Sequence, residues 1–111
     1  MKTLLSVLLL LCALPLFSQE TQEAQLKVNG ACGMCKSRIE KTVSVKGVRY
    51  ARWNKSTKML TVAFTVPGMT ADSLQRRLAA AGHDTERYTA PDSVYAALPA
   101  CCHYRDNSST H

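Results

Sequence analysis

Two cysteines three residues apart, in Gly30-Ala31-Cys32-Gly33-Met34-Cys35-Lys36, are the side chains best suited to chemistry in this chain. Such a pair can bind a soft metal ion or exchange disulfides. An alternating apolar run precedes it and a helix-like pattern follows it. A helix N-terminus offers unpaired N–H groups and a partial positive charge, which lower a thiol's pKa and favour the thiolate that binds metal. Lys36 and Arg38 add positive charge nearby. A two-thiolate site suits Cu(I) above all, whereas Zn(II) prefers four ligands. A second set of ligand-type residues, Cys101-Cys102-His103, lies near the C-terminus. Adjacent cysteines bridge each other only with strain. The set therefore reads as a disulfide to another chain or to the first pair, as a bystander, or as a fold-back arm. Such an arm would add thiolates, with His103, to make a closed site for Zn(II) or Cd(II), or a Cu(I) cluster. Met34, Met59 and Met69 are soft donors too, and each reads first as packing.

Short elements must position these groups. Gln25-Leu26-Lys27-Val28-Asn29 alternates and reads as a strand, broken at Asn29-Gly30. Cys35, Ile39 and Val43 recur every four residues, which makes one buried stripe of a helix that closes at Gly47. Residues 48–53 read as a second strand, 54–57 as a hairpin turn and 59–66 as a third strand. Thr70 is a good N-cap for a second helix with Asp72 in its first turn, Leu74, Leu78 and Ala81 on its apolar face and Gly82 at its stop. Residues 83–89 read as a weaker fourth strand, and 91–98 as a short helix. The order strand-helix-strand-strand-helix-strand predicts an α+β, ferredoxin-like βαββαβ sandwich. Its four-stranded antiparallel sheet would carry both helices on one face, with a short C-terminal extension over 91–111.

The chain has 111 residues, enough for one small domain whose core a metal or disulfide could help to stabilise. Its formal net charge of +6 is spread along the chain. That reads as a solubilising surface, and nothing else favours nucleic acid. Met1-Lys2 followed by an apolar run to Phe17 and then Ser18-Gln19-Glu20 has the plan of a secretory signal peptide over 1–18, with a polar leader over 19–24. The run is short for a membrane span, so no stable membrane insertion is expected after cleavage. Removal of Cys12 leaves Cys32, Cys35, Cys101 and Cys102 in an oxidising compartment. No Ser/His/Asp set, paired carboxylates or phosphate-binding glycine loop stands out, so no enzyme is expected.

The stretches Val28-Asn29-Gly30-Ala31-Cys32-Gly33-Met34-Cys35, Ile39-Glu40-Lys41, Gly47-Val48, Thr57-Lys58-Met59-Leu60-Thr61-Val62 and Ala79-Ala80-Ala81-Gly82-His83-Asp84 carry a family resemblance. Over residues 25–90 the chain resembles the heavy-metal-associated domains of copper chaperones, copper-transporting ATPases and the periplasmic mercury-binding protein. The resemblance implies the ferredoxin-like fold, a solvent-facing thiol pair and metal hand-over by ligand exchange. It implies Cys32 and Cys35 as the metal ligands, and Cu(I), or else Hg(II), as the ion. The implied partner is a metal-transporting ATPase, an efflux component or another metal-binding protein, with a metal-bridged homodimer as a further arrangement, in a bacterial periplasm. A thiol-disulfide redox protein is the alternative class. Two departures from the family pattern matter. The family's Met before the first cysteine is missing, and Met34 sits between the cysteines instead. His83 falls where many members have Tyr, in the loop that approaches the metal, where its imidazole could serve as a third ligand.

Overall fold

The computed structural model describes residues 19–106; the signal peptide expected over 1–18 and the end of the expected C-terminal extension lie outside the described residues. Strand β1 runs Glu20–Lys27, helix α1 Gly33–Val43, β2 Val48–Trp53 and β3 Met59–Val66. Helix α2 follows at Ala71–Ala80, a short helix α3 at Asp92–Ala96 and a 3-10 turn at Ala100–Cys102. The sheet is antiparallel with the order β1-β3-β2. Leu60, at its centre, pairs with Leu26 on one side and Trp53 on the other.

The helices form for legible reasons. Cys35, Ile39 and Val43 are fully buried, the stripe expected of α1. The Ser73 N–H donates to the Thr70 hydroxyl at 3.1 Å, so Thr70 caps α2 as expected. At the other end Gly82 takes φ +110°. Its N–H donates to the Ala79 carbonyl at 3.0 Å and the His83 N–H to the Leu78 carbonyl at 3.0 Å, a Schellman closure that needs a left-handed residue there. Val28, Ile39, Trp53, Leu60, Val62, Leu74 and Leu78 form the centre of the core. The Trp53 indole N–H donates to the Val28 carbonyl at 2.9 Å, so its buried polar edge is satisfied. Glu40 accepts from the Trp53 N–H at 2.9 Å and from Lys36 Nζ at 2.7 Å, which ties α1 to β2.

Two expectations need correction. β1 begins at Glu20 rather than Gln25, so the expected polar leader is strand. Its register runs unbroken from Glu20 opposite Val66 to Lys27 opposite Met59. Strand pairing uses backbone groups, so exposed polar side chains do not prevent it. The expected fourth strand does not form, and among the described residues the sheet has three strands. Residues 83–89 keep one isolated bridge, Val28 to Thr85, beside a 2.9 Å bond from the Asn29 N–H to the Asp84 carbonyl. The segment then turns on itself. The Thr85 N–H donates to the Tyr88 carbonyl at 2.8 Å, and the Tyr88 N–H to the Thr85 hydroxyl at 3.0 Å. Tyr88 and Arg87 are drawn to Asp72 of α2, at 2.7 and 3.3 Å. Local polar bonds thus outcompete a ladder for which the sequence supplies little apolar alternation.

Among the described residues no helix is long and apolar enough to cross a membrane.

Candidate metal centre

The corner between β1 and α1 is built around a glycine. A Cβ on Gly30 would stand 3.0 Å from the Trp53 ring and 3.1 Å from Cys35 Cβ, so only glycine fits beneath the loop without displacement. Cys32 is the N-cap residue of α1, with extended backbone (φ −138°, ψ 179°). Its carbonyl accepts the Lys36 N–H at 3.1 Å, the first helical bond. Cys35 sits one turn into the helix, on the buried stripe. The two sulfurs are 3.6 Å apart.

The C-terminal extension folds back onto this corner. Cys102 Sγ lies 3.5 Å from Cys32 Sγ, and Cys101 Sγ lies 3.0 Å from it. Cys32, Cys35 and Cys102 hold their sulfurs within 4.8 Å of one another. The four cysteines among the described residues, Cys32, Cys35, Cys101 and Cys102, are free thiols. With a metal–sulfur bond of about 2.3 Å, two sulfurs stand about 4.6 Å apart around a linear ion and about 4.0 Å apart around a planar three-coordinate one. The spacings at Cys32 are nearer the second value.

Non-sulfur contacts fix the extension on both sides of Cys101-Cys102. Before them, Leu98 packs onto Gly82, where an added Cβ would meet it at 2.9 Å. After them, the Tyr104 hydroxyl donates to the Gly82 carbonyl at 2.6 Å and accepts the Asp84 N–H at 2.8 Å. Arg105 grips the Asp84 carboxylate through Nε at 3.0 Å and Nη2 at 2.8 Å, and its guanidinium lies 4.3 Å from the centre of the Tyr95 ring. Sequence reasoning missed Asp84, Tyr104 and Arg105. Single polar residues in an aperiodic tail carry no local signal of what they grip.

Electrostatics single out Cys32. Burial acts to raise its pKa, but the hydrogen bond it shares with Cys101, the nearby Cys35 N–H and the thiols of Cys102 and Cys35 together bring it down to about 6. Its neighbours go the other way. Cys101 is raised, chiefly by its hydrogen bond to Cys32. Cys102 is raised well above the thiol range by burial and by its bonds to Cys35 and Cys32. The apo site thus favours a thiolate at Cys32 over one at Cys101 or Cys102. Of the two cations expected nearby, Arg38 reaches the cluster, with Nη1 at 3.5 Å from Cys102 Sγ. Lys36 is taken up by Glu40 and by the Trp53 carbonyl, each at 2.7 Å.

Among the described residues neither His83 nor His103 joins the sulfurs. His83 is completely buried, with Nδ1 2.9 Å from the Asn29 carbonyl and its ring stacked on Tyr104. A carbonyl can only accept, so Nδ1 carries the proton and Nε2 is left with a buried lone pair and no partner. Burial, foremost, lowers the His83 pKa and keeps the ring neutral. His103 Nε2 meets the Leu98 carbonyl at 2.8 Å, and its ring packs on Tyr95. Met34, read first as packing, is 52% exposed, with its Sδ 3.5 Å from Cys101 Sγ.

No protein-family model and no curated protein matches the chain. Solved structures do. The chain has the α+β fold of the heavy-metal-associated domains. It is similar to a structure of the "CopZ metallochaperone", with 24% identity, a TM-score of 0.55 and coverage of 58% of this chain and 98% of that one. It is also similar to oxidized MerP from Ralstonia metallidurans CH34, at 26% identity and a TM-score of 0.57, over 60% of this chain and 96% of that one. A third is the N-terminal domain of a potential copper-translocating P-type ATPase from Bacillus subtilis, in its Cu(I)-loaded state. That match has 25% identity and a TM-score of 0.57, and covers 68% of this chain and 96% of that domain.

Proposed function

We propose that this chain captures a soft metal ion, Cu(I) foremost, through the thiolates of Cys32 and Cys35 and passes it on by ligand exchange in an exported compartment. One observation carries the reading. Two sulfurs 3.6 Å apart sit at the first strand-to-helix corner of a fold shared with a metallochaperone and a Cu(I)-loaded ATPase domain. The Cys32 pKa is brought down to about 6 and Cys35 is one turn away, so an incoming ion meets a thiolate with a second sulfur beside it. Hand-over follows when a partner thiolate adds to the ion while one of these two leaves. The partner is a metal-transporting ATPase, an efflux component or another metal-binding protein. Its acidic surface would meet Lys36, Arg38 and Lys41 of α1, a contact that added salt should weaken. No group is assigned a catalytic role. The plan of residues 1–18 supports export to a bacterial periplasm.

The experiment is a Cu(I) titration of the reduced protein against a competing chelator. Tight binding should be lost in the Cys32→Ser/Cys35→Ser double variant, and equal binding by that variant would sink the reading. A scavenger of Hg(II), Zn(II) or Cd(II) is the second reading, favoured by Cys102 as a third converging thiol. It predicts that the divalent ion outcompetes Cu(I) in the same assay. The redox alternative uses the same pair, Cys32 and Cys35, whose sulfurs are 3.6 Å apart, and predicts a C-x-x-C disulfide that exchanges with a model substrate.

A further inference from the structure

Five sulfur atoms meet at the β1–α1 corner, more than one ion of low coordination number needs. Cys32, Cys35 and Cys102 form a mutually close trio that leaves out Cys101. Cys101 instead lies 3.0 Å from Cys32 Sγ on one side and 3.5 Å from Met34 Sδ on the other. Both Cys101 and Met34 are exposed, whereas Cys35 and Cys102 are buried. By exposure the sulfurs therefore divide into an inner set and an outer set that share Cys32, with Cys101 Sγ also 4.0 Å from Cys102 Sγ of the inner set.

We propose that the outer set is a second metal seat: Cys101, the Met34 thioether and a bridging Cys32 thiolate hold a second Cu(I) ion beside the first. The proposal rests on the assignment of Cys32 and Cys35 as ligands and extends it from one ion to two. Three features carry it. Cys32 Sγ has three sulfur neighbours, at 3.6, 3.5 and 3.0 Å, and a thiolate has lone pairs enough to bridge two ions. The outer donors are two thiolates and a thioether, soft ligands that select Cu(I) over Zn(II), for which a thioether is a poor donor. The outer seat is also built before any ion arrives, because Leu98, Tyr104 and Arg105 anchor the arm through contacts that involve no sulfur. Four thiolates outweigh two monovalent cations, and the Arg38 guanidinium at Cys102 offsets part of that excess. Loading releases the thiol protons to solvent and transfers no electrons.

Native mass spectrometry of the reduced, exported chain with added Cu(I) tests this. The wild-type monomer should take up two ions, and Cys101→Ser should stop at one. Met34→Leu keeps the shape of a good helix former, and should weaken the second ion by about 10-fold while the first is unchanged. X-ray absorption should show a copper–copper vector in the wild type that Cys101→Ser lacks. Saturation of the wild-type monomer at one ion would overturn the proposal, as would two ions in Cys101→Ser, a second ion seen only in a dimer, or no effect of Met34→Leu. A wild type that holds one ion dependent on Cys32 and Cys35 leaves the first reading standing. Undiminished binding by Cys32→Ser/Cys35→Ser fails that reading instead.

Discussion

The Cys32 thiol has its pKa brought down into the neutral range, to about 6. The thiolate is the nucleophile, so alkylation of the reduced apo protein should rise through about pH 6 and level off by about pH 7, with Cys32 the first residue modified. Cys102, buried and with a raised pKa, should stay unmodified across that range. Cys101→Ser removes the strongest of the bonds that lower the Cys32 pKa and should move the inflection upward; peptide mass mapping against pH reads both. Gly30 is the other decisive residue. Gly30→Ala drives a methyl to 3.0 Å from Trp53 and should cost about 1–3 kcal/mol in urea unfolding, with its m-value unchanged. The two cysteines of the first pair were legible because their spacing and the helix they open are local features. His83 was expected beside the metal because of its loop. What fixes it instead is Tyr104, a tail residue that stacks on the ring and helps bury it.

At the scale of elements, apolar periodicity found α1, α2, β2 and β3, and capping chemistry placed Thr70 and Gly82. It failed where backbone or single polar bonds decide. The first half of β1 pairs without an apolar pattern, and residues 83–89 turn toward Asp72 rather than extend. The C-terminal arm is the largest such case, since its hold on the core is Tyr104 and the Arg105–Asp84 pair. Arg105→Ala leaves the Asp84 carboxylate half-covered without its bidentate partner, and should cost about 1–3 kcal/mol. The same variant should raise amide exchange over residues 98–105 while the sheet keeps its protection. The pH dependence has a fixed sign. Burial opposes ionisation of Asp84, but Arg105, foremost, and the Ala90 N–H outweigh it, and the carboxyl falls below its usual value of 3.8. The pair therefore contributes fully above that value, and its contribution is lost as pH falls through the lowered one. The arm should open in acid, and in Asp84→Asn it should be loose at every pH. An arm equally protected in Arg105→Ala and wild type would contradict this account.

For the whole molecule, the arm decides whether a third ligand comes from within the chain or from another chain. A two-thiol site on an exposed corner leaves an ion under-coordinated, and a second copy can complete it as a metal-bridged dimer. Here Cys102 already stands 3.5 Å from Cys32 on the same chain, held by contacts that do not depend on the ion. A tethered donor competes at an effective concentration of about a millimolar or more, well above that of a second molecule in micromolar protein. The formal net charge of +6 adds repulsion between copies. Cu(I)-loaded wild type should therefore run as a monomer in size exclusion with light scattering at micromolar concentration. Cys101→Ser/Cys102→Ser, with its first pair intact, should load and then shift toward dimer, more so at high salt where repulsion between copies is screened. Arg105→Ala should fall between the two, since it loosens the donor without removing it. Dimerisation of the loaded wild type to the same extent as the double variant would show that the arm does not close the site. The same closure slows release, because a partner must displace an intramolecular thiolate rather than water. Transfer to an acceptor thiol pair should be faster from Cys101→Ser/Cys102→Ser than from wild type, a difference that stopped-flow competition with a chromophoric Cu(I) chelator would resolve.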